Sequence, residues 1–134
     1  MKGSCLCGGV QYEVRGRPTR FYLDHCSRCR KSTGSAFGAW LVCDRADFQW
    51  IAGESLVKKY AAPVKKETPG YPHHFCSVCG GPVPYVDQQI VGIPAGTLDE
   101  DPKVKPRRHI FVGVKAPWFE ITDALPQSER GHDS

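Results

Sequence analysis

Six of the seven cysteines of this chain fall in three close pairs, Cys5/Cys7, Cys26/Cys29 and Cys76/Cys79. Thiols two or three positions apart can grip one metal ion, and zinc is the first ion to expect at such sulfur-rich sets. The same count could make a disulfide framework in an oxidising compartment. The chain, however, opens Met1-Lys2-Gly3-Ser4-Cys5 with no apolar signal core, and the odd Cys43 speaks against a fully paired framework. The expectation is a zinc-binding, cytoplasmic protein in which disulfides would be rare.

Side chains two apart on an extended segment share a face, so Cys5 and Cys7 can reach one ion together. Cys76-Ser77-Val78-Cys79-Gly80 reads as a knuckle, with the glycine relieving the turn. Joined, the two pairs make a closed set of four thiolates and a structural zinc site that ties the start of the chain to its middle; two unrelated pairs of buried cysteines are the alternative. The middle segment, Asp24-His25-Cys26-Ser27-Arg28-Cys29, differs. Asp24 and Cys26 share a face and Cys29 can close after a turn, which gives three ligands and an open fourth position, the arrangement of a catalytic zinc. His25 points away on a strand and is not counted as a ligand. The bland reading of Cys26 and Cys29 is a redox dithiol, which wants a longer helix than Lys31-Ser32-Thr33-Gly34 allows.

The elements that must position these groups are short strands. With 14 Gly and 11 Pro among 134 residues and 40% hydrophobic content, the chain reads as one mainly β domain over residues 1–126 with a polar, frayed tail at 127–134. Alternation marks a strand at Val10, Tyr12 and Val14, and similar stretches follow at 20–25, 37–43, 48–51, 56–61, 89–93 and 109–112. A turn or two of helix is expected over 28–33, stopped by Gly34. Residues 63–72 and 99–106 read as loops. Cys43 is expected in a buried strand, and Phe37, Trp40, Trp50 and Trp118 in the core. His73, His74 and His109 have no ligand spacing of their own.

The formal charge is +4, and six thiolates on two zinc ions would bring it to roughly +2. The basic residues are scattered, without the aromatic interleaving of a single-strand binding surface, so nucleic acid is not the expected partner. No apolar run approaches membrane-spanning length. Small molecules are the expected partners, and a homo-oligomer stays open.

Taken in order, Cys5-Leu6-Cys7-Gly8, His25-Cys26-Ser27-Arg28-Cys29-Arg30-Lys31, Gly34-Ser35-Ala36-Phe37 with Trp40, Phe75-Cys76-Ser77-Val78-Cys79-Gly80, Pro94-Ala95-Gly96-Thr97-Leu98-Asp99 and His109-Ile110-Phe111-Val112 through Trp118 resemble the glutathione-dependent formaldehyde-activating enzymes, also called the centromere protein V type of zinc domain. The resemblance implies a β-tent fold of short antiparallel strands, with structural zinc on Cys5, Cys7, Cys76 and Cys79. It further implies a catalytic zinc on a C-x-C-x-x-C motif whose last two positions are Cys26 and Cys29, and Phe37 and Trp40 as pocket walls. The activity it implies is that of a carbon-sulfur lyase adding the glutathione thiol to formaldehyde. The chain departs from the motif at its first position, where Asp24 replaces a cysteine. A carboxylate oxygen is harder than a thiolate, so the second site either survives with altered affinity or is lost, leaving a noncatalytic zinc-stabilised module. Arg28, Arg30 and Lys31 would offer a favourable field to the carboxylates of glutathione, or serve only as solvated groups bonded to loop carbonyls.

Overall fold

The computed structural model describes residues 1–65 and 70–131. Its strands are β1 (Lys2–Ser4), β2 (Gln11–Val14), β3 (Arg20–Asp24), β4 (Gly38–Asp44), β5 (Phe48–Ala52), β6 (Val57–Ala62), β7 (Tyr71–Cys76), β8 (Tyr85–Val86), β9 (Ile90–Pro94) and β10 (Arg108–Ile110), and one α-helix, α1 (Ser27–Thr33), follows β3. They build three small sheets, with strand orders β1-β2-β5, β10-β3-β4-β9-β8 and β6-β7. The architecture is mainly β with antiparallel neighbours, and β10 joins β3 in parallel.

The core follows from the strand patterns. Tyr12 and Val14 are buried while Gln11 is exposed, the one-sided burial that alternation anticipates. β4 lies in the middle of the large sheet and buries Leu41, Val42 and Cys43 in succession, as a strand covered on both faces must. Tyr12, Val14, Leu41, Cys43, Phe48, Val91 and Ile93 form one buried cluster that joins the two larger sheets. Gly3 stands opposite Tyr12 in the β1–β2 register, and a side chain there would collide with the tyrosine ring. The freed phenol donates to Thr97 Oγ1 at 2.7 Å, which in turn donates to the Pro94 carbonyl at 2.7 Å.

Several sequence expectations are corrected. β7 begins at Tyr71, inside the stretch read as loop, and residues 66–69 of that loop lie outside the described residues. Trp118, expected in the core, is 72% exposed. The segment after residue 126 is not frayed where it is described. Ser128 is buried and accepts from Arg108 Nη1 at 2.7 Å; its amide donates to the His109 carbonyl at 2.9 Å, and its carbonyl accepts from the Val112 amide at 3.0 Å. Residues 132–134 of the tail lie outside the described residues.

Cys43 is the one cysteine outside the pairs, and burial, with Asp47 and Asp44 adding repulsion, pushes its thiol from 9.0 up to about 11. The folded chain therefore keeps this proton where the unfolded chain releases it. The resulting contribution is whole below about pH 9 and is lost as pH rises toward 11, at up to about 1.4 kcal/mol per pH unit. Denaturant unfolding of the parent and of Cys43→Ala at pH 8, 9 and 10 should show a shallower alkaline loss in the variant; equal slopes would refute this account.

Candidate metal centres and the cavity above one of them

The first centre is made by two knuckles. Cys5 opens a turn closed by the Gly8 amide on the Cys5 carbonyl at 2.9 Å, and the Cys5 amide returns to the Val10 carbonyl at 3.0 Å. Gly8 adopts a left-handed φ of 78°, which a Cβ would disfavour. Across from it, β7 ends at Cys76, whose carbonyl accepts from the Gly80 amide at 2.8 Å, and Gly80 likewise has a φ of 73°. The four sulfurs lie within 4.8 Å of one another. Cys5 and Cys7 Sγ stand 3.6 Å apart, and Cys7 and Cys76 Sγ 3.8 Å apart. A zinc–sulfur bond of about 2.3 Å gives a tetrahedral edge of about 3.8 Å, so the set fits zinc. Amides of Val10, Val78 and Gly81 point at Cys5, Cys76 and Cys79 sulfurs at 3.3, 3.4 and 3.4 Å. Such donors offset thiolate charge, and the Gly81 amide, with other contacts, brings the Cys79 thiol down to about 6.

The second centre sits where β3 runs into α1. β3 is held between β10 and β4, and Asp24, its last residue, registers with Ile110 on one side and Gly38 on the other. Asp24 Oδ1 accepts from the Cys26 amide at 2.9 Å, which leaves its other oxygen free to face the thiols. Cys26 caps the helix: its sulfur accepts from the Cys29 amide at 3.2 Å. Gly34 ends the helix at a φ of 70°, with its amide on the Arg30 carbonyl at 2.8 Å. The Asp24 carboxylate and the Cys26 and Cys29 sulfurs lie within 4.8 Å of one another. This donor set could hold zinc, with Asp24 taking the place of the motif's first cysteine.

The surroundings of this trio are electrostatically one-sided. Burial raises the Asp24 carboxyl above the usual carboxylate range. The Cys29 thiol donates toward Cys26, which lowers Cys26 and drives Cys29 far up. Three groups that resist sharing several negative charges in a buried place call for a cation, which is a second sign of a metal fit. Cys29, 1% exposed, also receives the Trp40 indole N–H. That approach depends on Gly38, since a Cβ there would lie 2.5 Å from Trp40 Nε1. Trp40 thus supports a ligand and does not line the cavity described below; Phe37 packs on His25, with ring centroids 5.3 Å apart.

His25, between two of the candidate ligands, turns inward as the strand alternation requires and is fully buried. Its Nε2 lies 2.8 Å from His109 Nδ1, and His109 Nε2 lies 2.9 Å from an Asp123 oxygen. With the carboxylate accepting from His109 Nε2–H, His109 Nδ1 accepts from His25 Nε2–H, so both tautomers are set from the surface inward. Burial, followed by repulsion from His109, Lys115 and Arg30, brings His25 down to about 4, so the ring stays neutral.

Above Asp24 and Cys26 opens a cavity of about 510 Å³. Of the three basic residues singled out in the sequence, Arg28 and Arg30 of α1 line it and Lys31 does not. Arg30 Nη2 donates to the Val114 carbonyl at 3.3 Å, while its Nε is buried with no partner among the described residues. The remaining wall comes from Gly70 and Tyr71, from Phe111, Gly113 and Val114, and from Glu129 and Arg130. Sequence reasoning missed all of these. They carry no ligand spacing, and the left-handed φ of 55° at Phe111 that turns the chain here has no glycine to announce it.

The family model of the glutathione-dependent formaldehyde-activating enzyme, GFA, matches residues 1–114. The chain belongs to the GFA family. A crystal structure of a Rhodobacter sphaeroides protein is similar in fold, with a TM-score of 0.57 and 24% identity over 80% of this chain and 93% of that one. No curated protein matches the chain. Among the described residues of this GFA member, no helix is long and apolar enough to cross a membrane.

Zinc per chain, measured by elemental mass spectrometry, should be about two in the parent and about one in Asp24→Ala or Cys26→Ala, with the circular dichroism spectrum kept. Cys76→Ser, by contrast, should lose the fold along with the metal. A parent with one zinc, unaffected by Asp24→Ala, would remove the second centre.

Proposed function

We propose that this protein is a zinc-dependent carbon-sulfur lyase of the GFA type, joining or releasing a small aldehyde and a glutathione thiol. The observation that carries the reading is the placement of Asp24 and Cys26 in the floor of a cavity walled by arginines, with Cys29 beneath. Asp24, Cys26 and Cys29 would hold the metal, and a bound zinc would offer a fourth position at which a thiol, with an ordinary pKa of about 8.5, is deprotonated at neutral pH.

The chain's own residues supply the rest. Asp24 donates less charge than a third thiolate would, which leaves a stronger pull on an incoming thiol. Arg28 and Arg30 draw carboxylates into the cavity and orient the thiol toward its floor. In the forward direction a sulfur–carbon bond forms, the carbonyl pair moves to oxygen, and the thiol's proton ends on that oxygen, so no oxidant is needed. Tyr71, whose phenol is raised by burial and bonded to Ser32 Oγ at 2.9 Å, brings to the wall a hydroxyl that stays protonated through this exchange. Trp40 and the His25–His109–Asp123 chain hold Cys29 and the ligand segment still.

A second reading is favoured by one feature, the loss of the motif's first thiolate at Asp24: a zinc-stabilised module that binds without catalysis. Turnover separates the two. Zinc-loaded parent should speed the exchange between glutathione with formaldehyde and S-hydroxymethylglutathione, followed by exchange NMR, and Cys26→Ala should lose at least about 100-fold with the fold kept. No acceleration by a parent that carries two zinc ions, or an unaltered rate in Cys26→Ala, would decide for the module.

A further inference from the structure

The cavity is completed by a part of the chain that the family match does not reach. The match ends at residue 114, yet Glu129 and Arg130 line the space above Asp24 and Cys26. Their position is built rather than incidental. The Phe111 amide donates to the Arg130 carbonyl at 2.7 Å, the Gly113 amide to the Glu129 carbonyl at 3.3 Å and the Val112 amide to the Ser128 carbonyl at 3.0 Å. Beneath them Ser128 is buried against Arg108. The turn that donates these bonds begins at Phe111 in the left-handed region, a strained conformation for a residue with a Cβ.

The two side chains are placed by the same contacts. Glu129 Oε2 lies 2.7 Å from where a Cβ on Gly113 would stand, so the absence of a side chain at Gly113 is what lets the carboxylate lie over the cavity wall. Among the described residues neither Glu129 nor Arg130 has an ion-pair partner. One negative and one positive group, adjacent and exposed at a cavity, match a ligand end that carries both an ammonium and a carboxylate. Deeper in, the buried and unpartnered Arg30 Nε–H, with Arg28 beside it in the wall, matches a second carboxylate.

We infer that Glu129 and Arg130 are specificity residues that read the free α-amino-acid end of a peptide thiol, Arg130 taking its carboxylate and Glu129 its ammonium. A γ-glutamyl tripeptide thiol has such an end, a thiol in the middle and a further carboxylate for the Arg28 and Arg30 side. The cavity of about 510 Å³ is in the size range that houses a ligand of that kind. The inference rests on the proposed function and adds to it which groups of the thiol are recognised, and by a segment beyond the family match.

Binding of S-methylglutathione, which cannot react, to the zinc-loaded full chain tests it by calorimetry. Arg130→Ala should weaken binding by about 10-fold, as loss of a charge-assisted contact does. Glu129→Gln should weaken it as well. N-acetylation of the ligand should cost the parent affinity but cost Glu129→Gln nothing more, a coupling that a merely structural role would not produce. In turnover, Arg130→Ala should raise the KM for glutathione by far more than it lowers kcat. Parent-like binding by both folded variants would overturn this assignment and leave the lyase reading standing. No binding of S-methylglutathione by the parent would overturn the assignment, whereas the lyase reading falls only if formaldehyde turnover is also absent.

Discussion

The four-sulfur group is the constraint on which the rest of the molecule depends. Cys7 and Cys76 are 69 positions apart and their sulfurs are 3.8 Å apart. Closing a loop of that length costs about 4 kcal/mol of chain entropy, and the nearby buried cluster of Cys5, Val10, Cys76 and Val83 is small. Structural zinc in comparable sites supplies about 10–16 kcal/mol, as much as the whole net stability of many domains. The β6–β7 pair belongs to neither larger sheet; through Cys76 it is tied back to the first turn of the chain, and through Gly70 and Tyr71 it supplies one wall of the cavity. The four-sulfur group thereby helps set the shape of the place where chemistry is proposed.

The second donor group is organised differently, by secondary structure more than by cross-linking. Asp24 is held by a strand between two others, Cys26 by its capping bond and Cys29 by a short helix. Each donor has a distinct support: an amide for Asp24, an amide for Cys26, an indole for Cys29. Groups fixed in this way keep their spacing whether the third ligand is sulfur or oxygen, which is why a carboxylate can stand at Asp24 without dispersing the set.

Much of this was legible in the sequence. The cysteine pairs and Asp24 announced both donor groups, because ligand spacing is a local property that survives into the fold. The strands with clear alternation or β-branched runs were legible too, as was the α-helix ended by Gly34. The elements that escaped had nothing local to show. β1 is three residues with a glycine at its centre, β8 is two residues next to Pro84, and β7 carries Pro72 and two histidines yet forms because β6 offers it a partner. Trp118 looked like core by its type alone. The cavity wall was the least legible part, since Tyr71, Gly113, Glu129 and Arg130 meet only through long-range pairing, and a buried Ser128 in a polar stretch is invisible to any hydropathy argument.

The docking of the last described segment divides the cavity between two kinds of sequence. Its floor belongs to residues that also end a strand and cap a helix, so few exchanges there are tolerable. The wall at Glu129 and Arg130 is held by the amides of Phe111 and Gly113, which donate to the Arg130 and Glu129 carbonyls, main-chain bonds that do not depend on the side chains at these two positions. On the reading proposed above, exchange of these two side chains would change which thiols the cavity accepts at little expense to folding, and would leave the donor groups beneath untouched.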